Sequence, residues 1–190
     1  MTEGSSRRPA GAETLPTLAP EDFVCASCAM TFYSVEIMAA LADISAVPQS
    51  VRDVVASASE SELRRRPAPH IWSAIEYVCH LRDVYATYTI RLHRARTENS
   101  PAVEPMFSDL RAARFRYAQL PLAPVLDELA DHVVGFREEA ATFAPADWQR
   151  TVSRRPDEVR TARWLVRQAL HEGRHHLTDI RAALERNGSV

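Results

Sequence analysis

Apolar side chains recur at three- and four-residue spacing along four stretches of the chain, the period of helices that bury one face. The longest run goes from Ile71 to about Thr97, with Ala74, Val78, Leu81, Tyr85, Tyr88 and Leu92 on its stripe. A second, from about Leu122 to Phe143, repeats through Val125, Leu129, Val133 and Phe136, after a shorter amphipathic piece at Asp109 to Leu120. The last runs from about Arg160 to Arg186 and stops at Asn187-Gly188, a C-terminal signal. The first helix is expected from about Val47 to Ser59, before the breaker RRRPAP. PADWQRTVSRRPDE, between the last two runs, reads as a loop with room for one strand-like or helical turn; strand patterns and internal repeats are otherwise absent. The pattern predicts an all-α fold, an up-down four-helix bundle over residues 47–186.

Two pieces precede the bundle. Residues 1–20 are Pro, Gly, Ser and Thr punctuation with little to bury, which predicts a disordered leader. Residues 21–46 form a short segment carrying Cys25 and Cys28, expected to pack on the bundle.

Composition narrows the class. The 190 residues are 46% hydrophobic and 25% charged, as in one ordinary soluble domain. The longest uncharged stretch, Phe23 to Val35, is too short and polar to span a bilayer, and no apolar run follows the first arginines as a secretion signal requires. A cytoplasmic protein with no membrane partner is expected. With 23 basic and 25 acidic residues the net charge is −2, without the basic excess that nucleic acid demands. Every basic residue is Arg, so chemistry that needs a lysine amine is excluded. The Ala- and Arg-heavy usage suggests a GC-rich bacterial genome.

The candidate chemistry lies in two helices, WSAIEYVCHLRD with His80 and WLVRQALHEGRHHLTDI with His171, Glu172, His175 and His176. Residues four apart share a helix face, so the last helix offers two pairs: His171 with His175, and Glu172 with His176. Its apolar arc, built from residues such as Leu165, Ala169, Leu170, Leu177 and Ile180, contains His176, with Glu172 at its edge. These two point inward. His171 and His175 fall on a face roughly opposite the core, with Trp164 between them and beside the solvated arginines. An acid and an imidazole on a core stripe are costly to bury without a partner, and a divalent metal is the simplest one. His80 completes a set of two His and one Glu that leaves coordination positions open. A buried Glu–His hydrogen bond, or a surface patch if the helix phase is shifted by one residue, is the alternative.

These residues carry a resemblance. Trp72-Ser73, His80 eight residues after the Trp, and the final-helix H-E-x-x-H-H stretch resemble the DinB/YfiT-like helix bundles, over about residues 45–183. That family includes bacillithiol-dependent transferases and mycothiol-dependent maleylpyruvate isomerases. The resemblance implies His80, Glu172 and His176 as metal ligands, the Glu being the choice found in the maleylpyruvate isomerases. His-His-Leu-Thr-Asp departs from the His-His-Arg-Gly-Gln run of many members, and the extra C-terminal domain of the mycothiol-dependent isomerases is not expected.

Three cysteines in a cytoplasmic chain are expected to be reduced. Cys25 and Cys28 form C-x-x-C without the glycine typical of a zinc knuckle. They gain meaning from His171 and His175, whose H-x3-H spacing meets C-x2-C in tetrahedral zinc sites. A second, structural zinc at Cys25, Cys28, His171 and His175 would staple the N-terminal segment to the last helix; two free thiols and two solvated histidines are the alternative. Cys79 reads as a small buried residue, and Glu76 or Asp83 either orients His80 or pairs at the surface.

The functional expectation is a metal-dependent small-molecule enzyme. The metal is Zn first, with Ni, Fe or Mn as alternatives, and the family resemblance favours a mycothiol-type thiol co-substrate in a transferase reaction. Arg174 is the candidate contact to substrate or thiol. A metal-dependent hydrolase, isomerase or cyclase is the first alternative, and a non-catalytic, metal-stabilised ligand-binding bundle the second. The chain is expected to act as a monomer or homodimer.

Overall fold

A computed structural model describes residues 17–188. Six helices make up most of it: α1 (Ile37–Val55), α2 (Glu60–Arg64), α3 (Ala74–Thr97), α4 (Ser108–Arg114), α5 (Leu122–Ala141) and α6 (Ala162–Gly188). Strands β1 (Thr151–Ser153) and β2 (Val159–Thr161) pair antiparallel, Val152 opposite Arg160, inside the loop that precedes α6. The four long helices α1, α3, α5 and α6 enclose one core.

Helix α1 begins at Ile37 rather than Val47 and carries Pro48 inside it. A proline within a helix costs about 3 kcal/mol. Ile37, Leu41, Ile44, Val47, Val51 and Val55 are all buried, at about 1.5–3 kcal/mol each, so the apolar face outweighs the proline. The helix therefore runs across the expected boundary at residue 47. Helix α3 starts where Glu76 accepts from both the backbone N–H and the hydroxyl of Ser73 (2.9 and 2.8 Å), one half of a capping box.

Each of α1 and α3 packs against both α5 and α6. Going round the bundle the order is α1, α6, α3, α5, so the connections from α1 to α3 and from α5 to α6 cross its diagonals. This order sets α3 beside α6, the two helices that carry the candidate ligands.

Most of the leader, residues 1–16, lies outside the described residues. Where description begins, the chain is anchored: Leu18 N–H donates to Glu158 Oε1 (3.1 Å), and Arg160 donates to the carbonyls of Leu18 (2.9 Å) and Ala19 (2.7 Å). The segment then crosses α6, burying Met30 and Phe32 in the core. Among the described residues no helix is long and apolar enough to cross a membrane.

Candidate metal centre

His80 stands on the second turn of α3, and Glu172 and His176 one turn apart on α6. A single carboxylate oxygen, Glu172 Oε2, lies 3.3 Å from His80 Nε2 and 3.1 Å from His176 Nε2. The other oxygen, Oε1, accepts from Gln168 Nε2 at 2.6 Å, one turn earlier on the same helix. Trp72 stands edge-on to His80 and Tyr77 flanks His176, with ring centres 5.2 and 5.3 Å apart, so aromatic walls fix both imidazoles.

Electrostatics tie the three together. Burial pushes the Glu172 carboxyl up, but hydrogen bonds and charge from His176 and His80 outweigh it and hold the group well below the ordinary carboxylate range. Burial pulls His176 down, while Asp179 and Glu172 more than compensate and raise it to about 9. Asp179 Oδ2 sits 2.8 Å from His176 Nδ1, the nitrogen turned away from Glu172. A carboxylate in that position fixes the ring's orientation and raises its basicity as a ligand. Asp179 belongs to no motif in the sequence, and its signal there is the spacing of three from His176.

The donor set fits a divalent ion. One atom each from His80, Glu172 and His176 lie within 4.8 Å of one another, and all three side chains are largely shielded from water. His80 and Glu172 also line a cavity of about 390 Å³, whose walls include Tyr88, Arg91, Met106, Arg154 and Trp164. Two imidazoles and a carboxylate on one side, with space on the other, form an open facial site suited to Zn, Fe, Ni or Mn.

Other expected participants stand elsewhere. Arg174 is not in this cavity: it is exposed on α6 and paired with Asp43 of α1 at 2.5 Å, because its position on the wheel lies across the helix from Glu172. The arginines at the cavity are Arg91 and Arg154. Glu76 is buried and engaged by Arg66 and Ser73, and Asp83 by Arg82, Arg111 and Tyr117, so both carboxylates are taken up by these partners rather than by the His80 ring, and neither pairs at the open surface. Cys79 is fully buried with its thiol pushed up to about 12 by burial, as expected of a core residue.

The face of α6 that the wheel sets away from the core is covered, not solvated. Residues 23–32 lie over it, and Trp164 is buried there. The same cover brings Cys25, Cys28, His171 and His175 together, with one ligand atom from each within 4.8 Å of the others. Cys25 Sγ is 3.5 Å from His175 Nδ1. Burial raises the Cys25 thiol, but the Cys28 N–H, His175 and the Ser27 N–H outweigh it and bring it down to about 7.

Comparisons with known proteins agree with this architecture. The chain is 27% identical over 151 residues, 78% of its length and 84% of the relative's, to a Geobacillus thermodenitrificans (strain NG80-2) protein named "Putative metal-dependent hydrolase". Its fold matches that of YfiT from Bacillus subtilis, described as a probable metal-dependent hydrolase with an unusual four-helix bundle topology. The TM-score is 0.76 at 18% identity, over 90% of this chain and 94% of that one. The family model of the DinB superfamily matches residues 43–180, which take in most of α1, all of α3 and α5, most of α6 and the three inward-facing candidate ligands His80, Glu172 and His176, and the chain belongs to that superfamily.

Proposed function

We propose that the chain is a metal-dependent enzyme acting on a small molecule, with His80, Glu172 and His176 as the ligands of a divalent ion. The observation that carries this reading is the convergence of His80 Nε2 and His176 Nε2 on one oxygen of Glu172 at the wall of a cavity. A divalent ion held there lowers the pKa of a thiol or a water and so supplies a nucleophile at neutral pH.

The chain's own residues do the rest. Gln168 holds Glu172 Oε1 and leaves Oε2 for the ion, while Asp179 and Tyr77 fix the His176 ring. Arg91, which also donates to the Glu104 carbonyl, would pair with an anionic group; Arg154 reaches the same cavity but is engaged by Glu158, and Tyr88, Met106 and Trp164 line the rest. In keeping with the family resemblance, we assign the nucleophile to a low-molecular-weight thiol of the mycothiol type and the reaction to transfer onto an electrophilic acid. A second reading, hydrolysis with water in the thiol's place, is favoured by the name of the Geobacillus relative.

Turnover of a panel of electrophilic acids and esters, with and without thiol, separates the two. Thiol-dependent consumption that stops on chelation and returns with added metal is expected. Metal-dependent turnover indifferent to thiol selects the hydrolase, and full activity after exhaustive metal removal overturns both.

A further inference from the structure

Two thiols and two imidazoles meet where the segment before α1 crosses α6, and the local backbone is shaped for a metal. Val24 and Thr31 bridge as a miniature antiparallel pair, closed by Cys25 N–H to the Met30 carbonyl (2.9 Å) and Phe32 N–H to the Phe23 carbonyl (2.9 Å). Ala29, just after Cys28, adopts φ of 55°, the left-handed conformation that glycine supplies in a zinc knuckle. Backbone N–H groups of Ser27 and Cys28 bond the Cys25 sulfur and that of Met30 the Cys28 sulfur, although burial and the neighbouring Cys25 sulfur leave the Cys28 thiol raised.

His171 supplies a separate observation. Both of its ring nitrogens are shielded from solvent and neither has a hydrogen-bond partner. Phe23 and Phe32 pack against its ring, with centres 5.6 and 5.5 Å away. A buried unpartnered polar atom is costly, and an ion in the cluster would satisfy one of the two nitrogens.

Asp179 links this cluster to the metal centre already described. Its Oδ2 lies 2.8 Å from His176 Nδ1 and 3.6 Å from His175 Nε2, so one carboxylate faces the outward nitrogen of an imidazole from each cluster. His175 then presents Nδ1 to Cys25, and His176 presents Nε2 to Glu172.

The geometry points to a second, structural zinc held by Cys25, Cys28, His171 and His175. The set is closed: four soft or borderline donors with no place for substrate, as in structural Cys2His2 sites. Its role is to fasten the N-terminal segment across α6. The same segment supplies Thr17, Leu18 and Ala19 to the wall of the cavity beside Glu172, so the zinc positions part of the substrate site without touching it.

Metal content and cobalt spectra of the full-length protein test this. Wild type is expected to bind two equivalents and, with Co(II), to show thiolate-to-cobalt charge transfer and the strong visible bands of a tetrahedral site. Cys25→Ser/Cys28→Ser is expected to lose one equivalent and the charge-transfer band. Glu172→Gln is expected to lose one equivalent and keep the band, so this site stands or falls separately from the proposed active centre. His171→Ala serves as a second variant should the double one fail to fold, with the band lost or its tetrahedral pattern broken. Wild type with one equivalent and no charge-transfer band, or with a Cys25–Cys28 disulfide under reducing handling, overturns the proposal.

Discussion

Asp83 collects Arg82 Nε (2.9 Å), Arg111 Nε and Nη2 (2.8 and 2.6 Å) and the Tyr117 hydroxyl while almost wholly buried in α3. Burial pushes its carboxyl up, but hydrogen bonds from Tyr117 and Arg111 and the charge of Arg82 outweigh that and leave its pKa lowered. A group depressed in the folded state stabilises the protein above its unfolded pKa of about 3.9, and that contribution is lost as pH falls through the folded value. Asp83→Asn is thus expected to flatten the acid limb of a stability–pH curve below about pH 4 and to cost about 3 kcal/mol at pH 7, measured by urea titration. The cost is near the low end for a broken buried pair because Arg111 is partly exposed. An unchanged acid limb refutes it. At the proposed metal centre, Asp179→Asn removes a carboxylate that faces two imidazoles while leaving every proposed ligand in place. Metal affinity is expected to fall about 10–100-fold, read by competition with a chromophoric chelator, and an unchanged affinity counts against its orienting role.

Among the elements, α6 carries both clusters because a rotation of 100° per residue sets Glu172 and His176 on one face and His171 and His175 on the next. Gly173 lets that helix come close to its neighbours: a Cβ there would meet the Tyr85 hydroxyl at 2.7 Å and Val47 Cγ2 at 2.9 Å. Gly173→Ala gains up to about 1 kcal/mol of helix propensity and loses about 1–3 to overpacking, so a net drop in thermal stability is expected; a rise would show that α1 yields easily. The sequence exposed the long helices well, since three- and four-residue spacing survives in α3, α5 and α6. It hid the first half of α1 because Pro48 imitates a helix start. It also hid the β1–β2 pair, whose three-residue strands are too short to show alternation. The juxtaposition of His80, Glu172 and His176 was readable because two of them share a turn and the third follows a family spacing. Asp179, Gln168 and the cavity arginines were not, because their roles depend on which atoms the fold sets beside them.

At the scale of the whole molecule the question is what keeps the N-terminal segment in place. Phe32 and Met30 are buried, worth roughly 1.5–3 kcal/mol each, and the hydrogen bonds to Glu158 and Arg160 fasten its start. Anchors of that size give the segment a local opening free energy of a few kcal/mol, on which a bound ion would add. An ion present at a hundred times its dissociation constant adds about 2.7 kcal/mol to the closed state, a hundredfold in the opening equilibrium. Hydrogen exchange in Cys25→Ser/Cys28→Ser is therefore expected to quicken about a hundredfold at the amides of Cys25 and Phe32, which pair with Met30 and Phe23. The α3 and α5 amides, protected by the core and not by the strap, should keep their rates. Acceleration spread evenly over the bundle would mean that the cysteines stabilise the fold as a whole, and no acceleration anywhere would mean that the apolar anchors suffice. The strap also walls the cavity, so the same variant is expected to raise KM more than it lowers kcat: the ligands on α3 and α6 stay where they are while one side of the substrate's enclosure loosens.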